Sequence, residues 1–577
     1  MSKYERPREK IVLREYDGNV IEKIKSELNI SEMFAKVLAS RGLTDFEKSK
    51  TFFNPSLENL HEPFLFKQMD AAVNRIAKAK EVGKIFIYGD YDVDGITAVS
   101  LLLRVMNKIG ITAEYYLPDR LIEGYGISKN GIDAIIKSGA DLIISVDCGI
   151  TAVEEVEYAK QNGIDVIITD HHEPKDEIPN AVAVIDPKID GETYPDKNLA
   201  GVGVALKLAQ ALCIKFNAEE FWKYELDLAA FGTAADIVAL DGENRIIAKF
   251  GYEKMRQNPN LGLSALMAAQ NMKGRSLATN DIIFKLSPLV NAAGRMGDPK
   301  IGVELFLSDD AGECENFVKT LVSINAQRRE IEETISKEAF LLAEETIDFE
   351  SEFAVVVAKK GWHSGIVGIV AARLVERFYR PAVLFCIGED GAANGSVRTF
   401  GKCDVLKALN ECEDVLLSFG GHKSAAGLSL KTENLEIFRK KFNDALKKQI
   451  SIRDLSPTVI ADAEINIPQL TPKFFENLKR IEPFGPANMR PVFVAKNLNH
   501  KFAPKTIGKN GEHLKMCLNG GGYSIDAVGF GFGDRIEEMK TAKNFTVCFV
   551  LGENTYMGKS ELQMEIRAIE LKTEANA

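Results

Sequence analysis

No apolar run in the chain approaches the roughly 18 residues needed to span a bilayer, and the start, Met1-Ser2-Lys3-Tyr4-Glu5-Arg6, lacks the apolar core of a signal peptide. A cytoplasmic protein with no membrane partner is expected. The eight cysteines are scattered, with no Cys-x-x-Cys pair. That argues against a zinc module or a disulfide framework and for reduced, packed thiols. Positive charge is not in surplus: 72 Lys and Arg stand against 83 Asp and Glu, a net charge of −11. The whole surface is therefore not suited to wrapping nucleic acid, because backbone affinity comes from cations meeting phosphates. A local basic cleft is still open to it. Arg373, Arg377, Arg380, Arg398 and Lys402 form one stretch that could line such a cleft or simply make a solvated face. There is no internal repeat and no low-complexity segment.

The 577 residues are too many for one core and predict three or four domains of about 100 to 200 residues. From Lys84 onward, β-rich runs alternate with helical stretches: Lys84 to Asp90, Glu114 to Leu117, Leu142 to Asp147, Val166 to Asp170 and Ala181 to Ile185. This alternation predicts a parallel sheet covered by helices on both faces. Between Asp309 and Thr346 the apolar residues Phe317, Leu321, Ile324, Ile331, Ile335 and Leu342 recur at helical spacing. They predict one long helix joining two bodies. A second α/β unit follows, with strands at Phe353 to Ala358 and Ala382 to Ile387 around a helix from about Gly365. After about Ser456 the pattern turns all-β, with glycine-rich turns such as Asn519-Gly520-Gly521-Gly522, and predicts a small barrel. The expected segments are a helical lead-in over 1–78, an α/β domain over 79–308, the long helix over 309–348, a second α/β domain over 349–452 and the barrel over 453–577.

Chemistry concentrates at strand ends. Gly89-Asp90-Tyr91-Asp92-Val93-Asp94-Gly95, Ser145-Val146-Asp147-Cys148-Gly149 and Thr169-Asp170-His171-His172 each follow a buried-strand pattern. In an open parallel sheet, ligands bind outside the carboxyl ends of the strands, where these acids fall. Three carboxylates beside one strand end repel unless a cation sits among them. A calcium-loop reading of Asp90-x-Asp92-x-Asp94 fails because position twelve is Leu101 rather than a glutamate. Several aspartates with an imidazole favour Mn²⁺ or Mg²⁺ over zinc, and a shared carboxylate could bridge two such ions. Gly201-Val202-Gly203 lacks the third glycine of a dinucleotide fingerprint. Asn291-Ala292-Ala293-Gly294-Arg295, Gly395-Ser396-Val397-Arg398 and Gly420-Gly421-His422 read as flexible turns that suit anions. Trp362-His363-Ser364-Gly365 precedes a helix whose N-terminus also favours phosphate.

Taken in order with Thr233-Ala234-Ala235-Asp236-Ile237-Val238, Gly361-Trp362-His363 and Gly420-Gly421-His422-Lys423-Ser424-Ala425-Ala426-Gly427, these motifs resemble the DHH phosphoesterase superfamily and, within it, the RecJ family of single-strand-specific exonucleases. The likeness covers nearly the whole chain. It implies a catalytic DHH domain and a DHH-associated domain joined by the long helix, with an OB-fold beside them. Carried over by motif, Asp92, Asp94, Asp147, His171 and Asp236 resemble the metal ligands, with Asp147 as the bridge. Asp90 ligates or orients. His172 resembles a contact to the scissile phosphate, and Asp170 a support that holds an imidazole. Arg120, Arg295, Ser396 and Arg398 resemble a pocket for a 5′ phosphate. His363 and His422 resemble further substrate contacts.

The implied activity is 5′ to 3′ hydrolysis of single-stranded DNA to mononucleotides by two-metal activation of water, in repair and recombination. The implied setting is a monomer assisted by a helicase and a single-strand-binding protein. Two other readings stay open: a DHH phosphodiesterase of short oligonucleotides or cyclic dinucleotides, and a non-catalytic strand-binding scaffold. The chain departs from the family pattern at Ser364, where proline is common. It departs again at Pro483-Phe484-Gly485-Pro486-Ala487-Asn488-Met489, which lacks a glycine and a proline common there.

Overall fold

A computed structural model describes residues 4, 7–120, 122–218, 220–556 and 559–571. It divides into two compact bodies. One comprises residues 55–331 with 483–489, the other residues up to 54, 332–482 and from 490 onward.

The first body is built on five parallel strands: β1 (Ile85–Gly89), β2 (Ala113–Tyr116), β3 (Leu142–Val146), β4 (Asp165–Thr169) and β5 (Ala183–Ile185), in the order β2-β1-β3-β4-β5. Both faces are covered, so β1 and β3 are buried throughout and read as continuous apolar runs. Alternate residues serve two cores. Ile85, Ile87, Leu142 and Ile144 pack with the helices on one face, and Phe86, Tyr88, Ile143 and Val166 with those on the other. The chain leaves β1 toward β2 and returns to β3 on the opposite side, so the strand order reverses beside the ends of β1 and β3. Such a switch point is where open α/β sheets place ligands. Four helices matter to it: α1 (Val93–Lys108), α2 (Gly201–Lys215), α3 (Leu226–Ala235) and α4 (Gly242–Gln257).

The long helix is continuous over Ala311–Thr346, 36 residues, or about 54 Å at 1.5 Å per residue. Its buried stripe is less apolar than the spacing suggests, since Asn325, Arg328, Glu332 and Ser336 are buried too.

In the second body, strands Ser418–His422, Ala425–Lys431, Ala392–Arg398, Ala382–Ile387 and Val355–Lys360 form one sheet in that order. Only the last pair is parallel. Helix Ser364–Phe378 supplies the expected crossover. Further on, strands Val492–His500, His513–Gly520, Tyr523–Gly529, Lys559–Glu570 and Phe545–Tyr556 pair in sequence. The last returns to the first, so the five close on themselves as the sequence predicts. The N-terminal segment is helical over Gly18–Leu28, Glu32–Ala39 and Phe46–Phe53. It also carries a strand, Lys10–Leu13, that pairs in parallel with Thr458–Ala461.

All eight cysteines are free, six of them buried. Among the described residues no helix is long and apolar enough to cross a membrane. The basic stretch at 373–402 is largely engaged in local structure. Arg373 pairs with Glu332, Arg377 with Glu344 and Lys402 with Asp454, while Arg380 donates to the carbonyls of Glu352 and Phe349.

Candidate functional site

The turn after β1 is as tight as backbone allows. A Cβ on Gly95 would stand 2.5 Å from the carbonyl oxygen of Asp90, so the return into α1 needs glycine. Asp92 caps that helix, its Oδ1 accepting from the amides of Asp94 (2.9 Å) and Gly95 (3.2 Å). Asp94 lies in the first turn of that helix, and its two oxygens accept from the amides of Gly201 (2.7 Å) and Val202 (2.9 Å) at the start of α2. A helix N-terminus stabilises that carboxylate. After β3, Asp147 adopts φ 60°, a left-handed backbone that aspartate tolerates better than most residues. After β4, Asp170 is saturated: Oδ1 takes the amides of His171 and His172 and the His172 ring at 2.7 Å, and Oδ2 takes the Ile150 amide at 2.9 Å. It thereby ties both histidines to one carboxylate and has little left to offer a metal. Asp236 follows the end of α3.

These groups converge. His171 Nε2 lies 3.1 Å from Asp147 Oδ1, 3.6 Å from Asp236 Oδ2 and 3.9 Å from Asp94 Oδ2. Three sets, Asp147–His171–His172, Asp94–His171–Asp236 and Asp90–Asp92–Asp147, each bring ligand atoms within 4.8 Å of one another. Four of these atoms are buried and make no hydrogen bond: Asp90 Oδ1, Asp147 Oδ1, His171 Nε2 and Asp236 Oδ2. Leaving such atoms unpaired is costly, and a set of three carboxylate oxygens and one imidazole nitrogen suits Mn²⁺ or Mg²⁺.

The electrostatics agree. Burial, followed by the charge of neighbouring carboxylates, pushes Asp90, Asp94 and Asp147 well above the usual range and raises Asp92. Burial lowers His171, keeping its ring neutral and able to donate a lone pair. Burial would lower His172 as well, but its hydrogen bond to Asp170 and that residue's charge raise it to about 9.

Tyr125 is a contact the motifs did not reveal. Its hydroxyl lies 3.0 Å from His172 Nδ1 and donates to the carbonyl of Asp147 at 3.2 Å. Its flanking glycines, at φ 82° and 89°, are the only sequence trace of it. Gly201 was also missed: a Cβ there would stand 2.4 Å from Asp147 Oδ1.

All three expected turns, Asn291–Arg295, Gly395–Arg398 and Gly420–His422, are regular structure. Asn291–Arg295 lies within helix Ser287–Met296. There Asn291 Oδ1 accepts the Val93 amide at 3.0 Å, and Gly294 admits the carbonyl of Tyr91, which a Cβ would approach to 2.6 Å. The small residues serve close packing on the acidic turn. Arg120 stacks over the Tyr91 ring at 4.9 Å, and the charges of both Arg120 and Arg295 act on that tyrosine. Likewise Gly395–Arg398 is strand, and Arg398 donates to Ser396 Oγ at 2.8 Å. His363 caps helix Ser364–Phe378 by accepting the Gly365 amide, and exposed His422 ends its strand. Arg120 and Arg295 thus belong to the first body, and His363, Ser396, Arg398 and His422 to the second.

Residues 84–233 match the DHH family N-terminal domain, 350–448 the DHHA1 domain and 461–568 the RecJ OB domain. The single-stranded-DNA-specific exonuclease RecJ of Bacillus subtilis is 36% identical over 554 residues, 96% of this chain and 69% of that one. The chain belongs to the RecJ family. The Escherichia coli member is 33% identical over 84% of this chain and 87% of its own. RecJ from Thermus thermophilus, solved in complex with Mn²⁺, superposes with a TM-score of 0.83 at 27% identity, covering 98% of this chain and 80% of that one. The same protein in complex with Mg²⁺ superposes at 0.78. The family's OB domain coincides with the closed five-stranded sheet.

Proposed function

We propose that this chain is a single-stranded-DNA-specific exonuclease that degrades strands from the 5′ end to mononucleotides, using Mn²⁺ or Mg²⁺. The observation that carries the reading is the convergence of four buried, unbonded ligand atoms from four separate stretches of sequence. The exonuclease relatives and the metal-bound neighbour support it. Asp92, Asp94, Asp147, His171 and Asp236 would hold two ions, with Asp147 shared and Asp90 ligating or orienting. Such a pair supplies a water of lowered pKa and charge on both oxygens of an in-line displacement.

The chain's own groups do the rest. Asp170 holds His172 as an imidazolium whose N–H faces the scissile phosphate, and Tyr125 steadies that ring. Arg120, Arg295, Ser396 and Arg398 grip substrate phosphates, Arg120 and Arg295 on the first body and the other two on the second. His363 and His422 contact the strand. Boundaries near 79, 309, 349 and 453 separate the segments that perform these tasks. An enzyme confined to single strands depends on a helicase to expose them and meets the protein that coats them. A role in repair and recombination follows, with the monomer as the working unit.

The test is digestion of end-labelled substrates carrying 5′ phosphate, 5′ hydroxyl or blocked ends, in Mg²⁺ and in Mn²⁺, beside a dinucleotide. Release of mononucleotides from 5′-phosphorylated long strands is expected, abolished in Asp147→Asn with strand binding retained. A strong preference for the dinucleotide, or turnover that survives Asp147→Asn, would sink the reading.

A further inference from the structure

Asp236 closes α3 with its amide donating to Gly232 O at 2.9 Å, and beyond it regular structure stops until α4 begins at Gly242. The next residue, Ile237, stands at φ 61° and is 55% exposed. A β-branched residue takes that backbone only when its surroundings impose it. The direction of the Asp236 carboxylate therefore depends on what fixes residues 237–241. Asn244 Nδ2 donates to Ala239 O at 3.0 Å, and Asn198 Nδ2 to Asp241 Oδ1 at 3.3 Å. The backbone amide in the middle is held from elsewhere: Leu240 N–H donates to Pro486 O at 2.8 Å.

Pro486 lies in the loop 483–489, between helix Pro472–Lys479 and strand Val492–His500, and this short piece of the C-terminal region clusters with the first body. The loop is shaped to present that carbonyl. Gly485 and Asn488 exchange backbone hydrogen bonds at 3.0 and 2.9 Å, with Ala487 between them at φ 61°. Asn488, 2% exposed, donates from Nδ2 to Pro483 O at 2.8 Å, and buried Arg245 donates to the same oxygen. The fit leaves no room, since a Cβ on Gly485 would stand 2.5 Å from Leu240 Cδ1 and 2.9 Å from its Cγ.

We propose that the 483–489 loop is a positioning element for the metal centre: its docking on Leu240 aims the Asp236 carboxylate and so sets the affinity for the divalent cation. This rests on Asp236 being a ligand. It makes part of the C-terminal region a component of the cation site while contributing no ligand itself. The coupling is reciprocal by thermodynamic necessity, so cation binding must in turn tighten the docking.

Two measurements on the full chain decide it. Calorimetric Mn²⁺ titration of Gly485→Ala is expected to show uptake weakened by about tenfold or more, the scale of outer-contact effects on metal sites. Leu240→Ala introduced alongside removes the clash and should restore much of the loss. In the unmutated chain, hydrogen exchange at the Leu240 amide should slow when Mn²⁺ is added, a readout that needs no variant to fold. Asp236→Ala separates the proposal from its premise. If it leaves uptake intact, the ligand assignment fails and the loop's role with it. If it weakens uptake while Gly485→Ala does not, or if Leu240 exchange ignores Mn²⁺, only the loop's role is overturned.

Discussion

Gly201 offers a sharp test of the site, because a single methyl there can be placed against the acid assigned as the bridge. A Cβ on Gly201 would lie 2.4 Å from Asp147 Oδ1 and 2.7 Å from its Cβ and Cγ, whereas ordinary contact begins at 3.4 Å, a shortfall of 1.0 Å. Neither partner can easily retreat. The helix is tied through the amides of Gly201 and Val202 to Asp94, and Asp147 is held between β3 and the left-handed turn that follows it. The methyl should therefore move the carboxylate by most of an ångström. Misplacement on that scale costs on the order of 10²-fold in rate, or about 2.7 kcal/mol of transition-state stabilisation, with about 1 to 3 kcal/mol of folding stability lost to overpacking. The assay is single-turnover release of nucleotide from 5′-phosphorylated single strands in Mn²⁺. Gly203→Ala serves as the control on the same helix, since its methyl would meet nothing tighter than the flexible end of Leu199 at 3.2 Å, with Leu199 Cβ at 3.5 Å and Asn244 Oδ1 at 3.8 Å in ordinary contact. Gly201→Ala is expected to fall about 100-fold while the control stays within about twofold. If Gly201→Ala turns over like the unmutated chain, Asp147 is not part of the working centre.

Asp186 is fully buried with Oδ2 unpaired, and burial, reinforced by the charge of Asp170 against the Lys188 amide, raises its carboxyl to about 8. An acid whose folded pKa exceeds its unfolded value binds protons on folding, so its contribution is full only below the unfolded pKa of about 4 and is lost progressively as pH rises from there through about 8. Asp186→Asn should melt above the unmutated chain by a margin that grows between about pH 4 and about pH 8 and levels off beyond; a margin that does not change with pH would refute this. Lys207 and Glu243 form a wholly buried pair at 2.6 Å, with His61 and Tyr194 completing the hydrogen bonds. Lys207→Ala should cost about 3 to 5 kcal/mol in urea denaturation, largely recovered by Lys207→Met with Glu243→Gln. Gly368 admits Arg398 and Ser396, which a Cβ would approach to 2.9 and 3.0 Å. Gly368→Ala should erase any preference for 5′-phosphate over 5′-hydroxyl ends without altering Mn²⁺ uptake.

The strands and their acidic ends were legible because a buried parallel strand writes itself as an apolar run, and the residue after it must lie at the sheet's carboxyl edge. Asp90, Asp147 and Asp170 could be placed on that ground alone. Asn291–Arg295 reads as a turn from its sequence and is helix in the structure, because small residues serve two purposes: they loosen a loop, and they let a helix lie against another backbone. Only the approach of Gly294 to Tyr91 distinguishes the two. The grip of Gly201 and Val202 on Asp94 spans 107 residues of sequence and leaves no local pattern. Tyr125 was hidden for the same reason, since its partners His172 and Asp147 come from different strand ends.

The left-handed backbone at Asp147 narrows what evolution can do there. Glutamate would keep the negative group but fit the bend poorly. Glycine would accept the bend and bring no oxygen, and asparagine would do so with an amide in place of the anion. Aspartate alone meets both demands, so a lineage that abandons catalysis should drift at this position first toward asparagine or glycine, which remove the charge and leave the fold undisturbed.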